Sequence, residues 1–178
     1  MNKIIDQTFK VAIYLRLSKE DDDLSCSSGA KSESNSISNQ RKLIYDFMKS
    51  HPELELYDEY KDDGKSGSNF DRAEFQRMMK DIEEGKVNCV IVKDQSRFGR
   101  DYIDVGKYKE KIFPKLSVRF ITINEGYDSL SATSSDDLAF TINSFVYDFY
   151  IRDISTKIRT NLTAKKQNGE YAGAFVAY

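Results

Sequence analysis

From Ser134 to Asn168 the chain contains neither glycine nor proline, and that stretch limits the fold more than any other. Ser134 with Asp137 three residues on reads as a capping-box start. Leu138, Ile142, Phe145 and Phe149 then step by four, three and four, and Ile151, Ile154, Ile158 and Leu162 continue the stripe, displaced slightly around the helix. A helix of about 32 residues would be about 48 Å long. A chain of 178 residues makes one ordinary domain, too small to cover such a length. The surplus apolar face is expected to meet another subunit in a helical pair or bundle. The plainer alternative is an amphipathic helix folded back on its own core.

The first two thirds alternate short apolar runs with helical patterns. Val11 to Leu17 is β-branched and apolar and ends abruptly at Ser18-Lys19-Glu20. Glu20 to Asn35 has no period and reads as a mobile loop. Ser36 is expected to cap a helix with the stripe Ile37, Ile44, Phe47, Met48. A strand over Leu54 to Tyr60 leads into the turn-rich Asp62-Asp63-Gly64-Lys65-Ser66-Gly67-Ser68, and a helix from about Asp71 to Glu84 ends at Gly85. Val87 to Val92 is a buried strand. A polar stretch, Lys93 to Arg100, a helix to about Phe113 stopped at Pro114, and a strand over Val118 to Ile123 follow. This alternation implies an α/β fold, with a mostly parallel central sheet flanked by helices on both faces. The units expected are a core over 1–134, the long interface helix over 135–168, and the start of a linker over 169–178.

Composition narrows the chemistry. The single histidine, His51 before Pro52, leaves no zinc set or His-based triad and reads as a helix-end residue. Any catalysis must run on Ser, Asp, Arg, Lys or Tyr, without metal or cofactor. Cys26 in a serine-rich loop and Cys89 in an apolar strand suggest a reduced pair. No run approaches a membrane span and Met1 to Lys10 lacks a signal-peptide core, so a cytoplasmic setting is expected. The net charge of −2 argues against a self-sufficient nucleic-acid binder, although basic residues concentrate from Lys93 to Arg119 and from Arg152 to Lys166.

Arginines gather where strands end. Arg16 and Ser18 project from the same face of an extended chain. A serine hydroxyl attacks weakly unless its proton is removed or its developing charge stabilised, and a nearby guanidinium does the second. Arg97 and Arg100, three apart after the strand Val87 to Val92, would face one side of a first helical turn and hold phosphodiester oxygens with forked donors. Arg72 is a fourth candidate. Strand C-terminal ends of one sheet converge at one edge, the usual place for ligands in open α/β folds. The bland reading is that these arginines are surface residues paired with Asp62, Asp63, Asp94 or Asp101.

Taken together, these segments resemble the resolvase and invertase family of serine recombinases. Tyr14-Leu15-Arg16-Leu17-Ser18 is similar to its Tyr-x-Arg-x-Ser signature, and Ser36-Ile37-Ser38-Asn39-Gln40 to its helix-opening glutamine segment. Ser66-Gly67 with Asp71-Arg72 resembles its Ser-Gly turn and following arginine, and Ser96-Arg97-Phe98-Gly99-Arg100 its Asp-Arg-Leu-Gly-Arg segment. The long loop after Ser18 and the wording Ser-Arg-Phe-Gly-Arg-Asp-Tyr look more like the large serine recombinases of mobile elements than the small resolvases.

The resemblance implies a resolvase-like catalytic domain followed by a long oligomerisation helix. It makes Ser18 the nucleophile, with Arg16, Arg72, Arg97 and Arg100 on the scissile phosphate, Gln40 orienting the site, Ser66 beside the DNA and Arg152 near the subunit interface. It implies no cofactor, double-stranded DNA attachment sites as partners, and a dimer that becomes a tetramer in synapsis. Where small members carry Asp, this chain has Ser96, so a carboxylate there cannot be the proton donor; Asp94 is a weak substitute. The chain ends at Tyr178, just past Gly169 and Gly173, where a linker to a DNA-reading region is expected to begin. Two rivals stand beside this reading. One is a non-catalytic flavodoxin-like dimerisation module. The other is a phosphate-monoester or nucleotide-handling enzyme, because Asp62 to Gly67 superficially resembles a phosphate loop, although its spacing is wrong.

Overall fold

The structure, a computed structural model, describes residues 8–17, 35–62, 72–99 and 101–169. The expectations for Ser18, Ser66, Arg100, Cys26 and the loop after Ser18 fall outside the described residues. Five strands form one sheet in the order β2-β1-β3-β4-β5: β1 Phe9–Arg16, β2 Leu54–Asp62, β3 Cys89–Val92, β4 Arg119–Thr122 and β5 Tyr127–Asp128. All pairings are parallel except β4 with β5. The helices are α1 Asn35–Lys49, α2 Ala73–Glu83, α3 Gln95–Phe98, α4 Tyr102–Lys107, α5 Phe113–Lys115 and α6 Ser134–Gln167, with a π-helical turn, Tyr108–Ile112, joining α4 to α5.

Central strand β1 is apolar from Val11 to Leu15 because both its faces are covered, and its charged residues are Lys10 near one end and Arg16 at the other. Val11, Ile13, Leu15 and Leu17 pack with Ile37 and Ile44 of α1. Ala12 and Tyr14 point the other way, into a cluster with Phe75, Met78 and Ile82 of α2 and with Phe98, Phe113 and Phe120. Edge strand β2 carries one extra residue where Val11 pairs with Leu56 and Ala12 with Asp58. A strand alternates with period two, so such a bulge exchanges its faces. Leu54 therefore packs on the α1 side and Tyr60 on the α2 side, although both are even-numbered. The same flip brings Asp62 into register with Arg16, on the face of Tyr14.

Several boundaries differ from the sequence-based expectations. Helix α1 begins at Asn35, so Ser36 lies inside it, and its hydroxyl accepts from Gln40 Nε2 at 3.3 Å. The polar stretch after β3 contains a helical turn, α3, whose Gln95 and Phe98 are buried. Pro114 does not stop the helix before it. It sits in the first turn of α5, where a missing N–H costs nothing, and the π-helical turn supplies the break in register. The long helix is capped by Thr133 with Asp136, one residue earlier than expected, because Asp137 is taken by Lys109 at 2.7 Å and by the Tyr127 hydroxyl at 2.9 Å.

With 34 residues, α6 is about 51 Å long. Among its described side chains only Phe140 and Ser144 are buried. The apolar stripe stays uncovered: Leu138 is 61%, Phe145 53%, Phe149 63% and Ile158 53% exposed. Folding back on the core is thus not what this helix does. Among the described residues no helix is long and apolar enough to cross a membrane.

Candidate active site

Beyond Ile13, β1 runs past the end of its pairing with β3, leaving the backbone of Arg16 open on that side. Gln40 of α1 closes it. Its amide accepts from Arg16 N at 3.4 Å and donates to Arg16 O at 3.2 Å, much as a neighbouring strand would. Gln40 and Arg16 are each 1% exposed. A buried guanidinium is costly unless its donors find acceptors. Here Arg16 Nη2 donates to Ser96 O at 2.6 Å and Nε to Arg97 O at 3.1 Å, and Arg97 Nη1 returns a bond to Arg16 O at 3.2 Å.

Arg72 reaches the same turn from the other side. It is 1% exposed, at the N-cap of α2, and donates from Nη2 to Phe98 O at 3.2 Å and from Nη1 to the Tyr14 hydroxyl. Tyr14 in turn donates to Asp62 Oδ2 at 2.9 Å. Burial pushes the Tyr14 phenol up, and neighbouring Asp62 adds to this, while Arg72 pulls it down. It therefore stays protonated, a fixed donor to the carboxylate. Asp62 also accepts from the N–H groups of Glu74 and Phe75, at 3.3 and 3.1 Å, and so caps the start of α2 from the end of β2.

Helix α3 is the hub of this arrangement. The carbonyls at the end of a helix have no partners within it, and in α3 three consecutive ones, of Ser96, Arg97 and Phe98, accept from Arg16 and Arg72. Its start is held by Asp94, whose side chain accepts from Arg97 N at 3.1 Å and from the Ser96 hydroxyl at 2.6 Å. Asp94 thus anchors the turn through Ser96. Phe98 fixes it from below, with ring contacts to Phe75, Tyr108, Phe113 and Phe120.

A second carboxylate holds the turn from the loop after β4. Glu125 Oε1 accepts from Gln95 N at 3.2 Å. Burial pushes the Glu125 carboxyl above its ordinary range, against the pull of the Gln95 N–H, and nearby Asp94 raises it further. The folded state therefore holds this proton more tightly than the unfolded chain. Stability attributable to the group falls as pH rises from the unfolded pKa through the folded one, and stays reduced above it. Glu125→Gln keeps the acceptor oxygen and removes the charge. Its thermal midpoint should exceed that of the native protein at about pH 8, with the difference gone by about pH 4.

Of the residues anticipated from sequence, the structure brings together Arg16, Arg72, Arg97 and Gln40. The reading of Arg16 and Arg72 as exposed, solvated side chains does not hold. Arg152 is not part of this cluster. It lies about 18 Å further along α6 than Phe140, 67% exposed and paired with Asp148 at 2.9 Å. The sequence offered Tyr14 only as part of a signature and Asp62 only as a surface partner of the arginines or part of a phosphate loop, and it gave no role to Glu125 or Gln95. The signal for Tyr14 was its shared strand face with Arg16; Glu125 and Gln95 carried none. His51 follows α1 as expected, its ring stacked on Phe47 and its Nδ1 2.8 Å from Phe47 O. Cys89 is buried, which pushes its thiol up.

The chain matches the family model described as "Resolvase, N terminal domain" over residues 11–171. Among solved structures it is similar to the N-terminal catalytic domain of TP901-1 integrase, with 27% identity and a TM-score of 0.59, over 80% of this chain and 97% of that one. It is similar also to a resolvase family site-specific recombinase from Streptococcus pneumoniae, with 26% identity and a TM-score of 0.55, over 90% of this chain and 99% of that one. The C-terminal catalytic domain of ISC1926 TnpA, an IS607-like serine recombinase, shares the fold at 18% identity and a TM-score of 0.51, over 86% and 83% of the two chains. No curated protein matches. The chain belongs to the resolvase family of serine recombinases, and the domain carrying Arg16, Arg72 and Arg97 has the fold of that family's catalytic domains.

Proposed function

We propose that this domain cuts and rejoins double-stranded DNA at specific sites through a covalent bond to Ser18. Membership of the resolvase family already assigns the chain to site-specific recombination. One observation supports the finer reading: a single helical turn gathers the guanidinium groups of Arg16 and Arg72 and carries Arg97, at the C-terminal edge of the sheet. Ser18 follows Leu17 directly in the chain.

In this scheme the Ser18 hydroxyl oxygen attacks phosphorus, the bond to the 3′ oxygen breaks, and the departing 3′ oxygen takes up a proton. The 5′ phosphate is left as a phosphoserine ester. After exchange of partners, a 3′ hydroxyl attacks that ester and releases Ser18, so one phosphoester bond replaces another and no external energy source is required. Arg16, Arg72, Arg97 and Arg100 are assigned to the charge that builds on the phosphoryl oxygens. Gln40 is a positioning residue, acting through the backbone of Arg16. Asp94 and Ser96 take the place of the family's Asp by steadying the turn.

The test is to incubate the protein with randomly sheared genomic DNA of its host, denature it, recover protein-linked fragments and map the linked peptide. A phosphoserine linkage at Ser18, clustered at defined sequences, is expected. Linkage at another residue, or no linked DNA, overturns the proposal. The same experiment bears on the transposon or phage-like context, since recovered sites would lie at element ends.

The exposed stripe of α6 supports self-association as the covering partner. Phe145→Asp and Phe149→Asp leave the core intact, because both side chains are more than half exposed. Each should weaken dimerisation about tenfold or more in sedimentation equilibrium. A native protein that stays monomeric at high concentration would exclude α6 as a self-association face.

A further inference from the structure

Gln95 stands at the start of the turn that gathers the arginines, and its side chain faces away from them. It is 2% exposed, and its Nε2 donates to the carbonyl of Phe140, in α6, at 3.0 Å. That carbonyl also accepts from the Ser144 hydroxyl at 3.1 Å. Phe140 and Ser144 are the two buried side chains described in α6. The long helix is thus seated on the domain between Asp137 and Phe145, and within that seat it is hydrogen-bonded to the element that holds Arg16 and Arg72.

We propose that Gln95 is a positioning residue that couples the seat of α6 to the arginine cluster, so that the placement of the long helix in an assembly sets the geometry of Arg16 and Arg97. The catalytic meaning of this link rests on the function proposed above. Three contacts carry it. From Phe140 O the path runs through Gln95 to the backbone of α3, whose Ser96 and Arg97 carbonyls hold Arg16. Gln95 N is itself fixed by Glu125, so a shift of Phe140 is not absorbed by sliding of the turn as a whole. Helix α6 is long and mostly uncovered, and small changes in how it is covered move its short seated segment. A glutamine merely satisfying its own buried amide would stabilise the turn without transmitting anything.

Measurement without DNA separates the two. Asp137→Asn weakens the seat of α6, because Asp137 holds Lys109 and Tyr127. Amide exchange at Arg97 and Gly99 is then followed by NMR in four proteins: native, Asp137→Asn, Gln95→Leu and the double variant. Asp137→Asn should speed exchange at these amides about tenfold when Gln95 is present and less than twofold when it is Leu. An equal increment in both backgrounds overturns the link, since a purely local role leaves the increment intact. Gln95→Met, of nearly the native shape and without the donor, replaces Leu if the latter does not fold. Because no DNA is present, a failed link leaves the Ser18 chemistry standing. Conversely, the absence of a Ser18 adduct leaves this coupling measurable.

Discussion

Arg16→Ala should lower the single-turnover rate of strand cleavage by about 10²- to 10³-fold, the usual consequence of removing a donor aimed at developing transition-state charge. DNA affinity should change far less, because binding sums the neutralisation of many phosphates and one guanidinium is a small part of it. Arg16→Lys is expected to recover little. A single ammonium on a flexible stem does not reproduce a planar fork that spans the Ser96 and Arg97 carbonyls, which accept at 2.6 and 3.1 Å. The variant also leaves those carbonyls without that donor, at about 1–3 kcal/mol for each buried group. Rates should therefore be compared at a temperature where circular dichroism shows both proteins folded. A folded Arg16→Ala protein that forms the covalent adduct at the native rate would remove Arg16 from the phosphate site.

Much of this cluster is legible in the sequence because its logic is periodic. Arg16 shares a strand face with Tyr14 and, by sequence, with Ser18, and Arg97 follows a buried apolar run. Those placements need only the period of a strand and the convergence of strand ends in a parallel sheet. What joins the arginines is not legible, because their acceptors are backbone carbonyls of α3, and a carbonyl leaves no mark on residue type. Asp62 illustrates the same limit. Within Asp62-Asp63-Gly64-Lys65-Ser66-Gly67 it resembles part of a phosphate loop, yet the bulge in β2 turns it toward Tyr14 and the start of α2.

Competing local solutions account for the remaining differences. Thr133 with Asp136 and Ser134 with Asp137 both fit a capping box, and the choice falls to Lys109, a buried cation over the Tyr127 and Phe140 rings that claims Asp137. At Pro114 the local rule against proline in helices yields to the preceding π-helical turn. The flavodoxin-like alternative is correct about strand order, which runs β2-β1-β3-β4-β5. As a module whose arginines merely solvate a surface it fails at Arg16 and Arg72, each 1% exposed.

Phe98→Ala should cost about 3–5 kcal/mol of stability, as expected for a fully buried phenylalanine, and lower the thermal midpoint by about 10 °C in a chain of this size. Phe98 is 0% exposed and touches four aromatic rings, from α2, the π-helical turn, α5 and β4. Its backbone carbonyl is the acceptor for Arg72. The side chain therefore ties the arginine-gathering turn to the aromatic core, and the loss should reach the chemistry as well. Phe98→Leu, which refills most of the volume, should recover about half of the stability. If position rather than stability governs the site, Phe98→Leu will still form the Ser18 adduct more slowly than a variant of equal midpoint made at Ile44. That residue lies on the opposite side of the sheet, in contact with β1 but with none of the four rings. Equal rates in the two would show that the turn needs only a folded core beneath it.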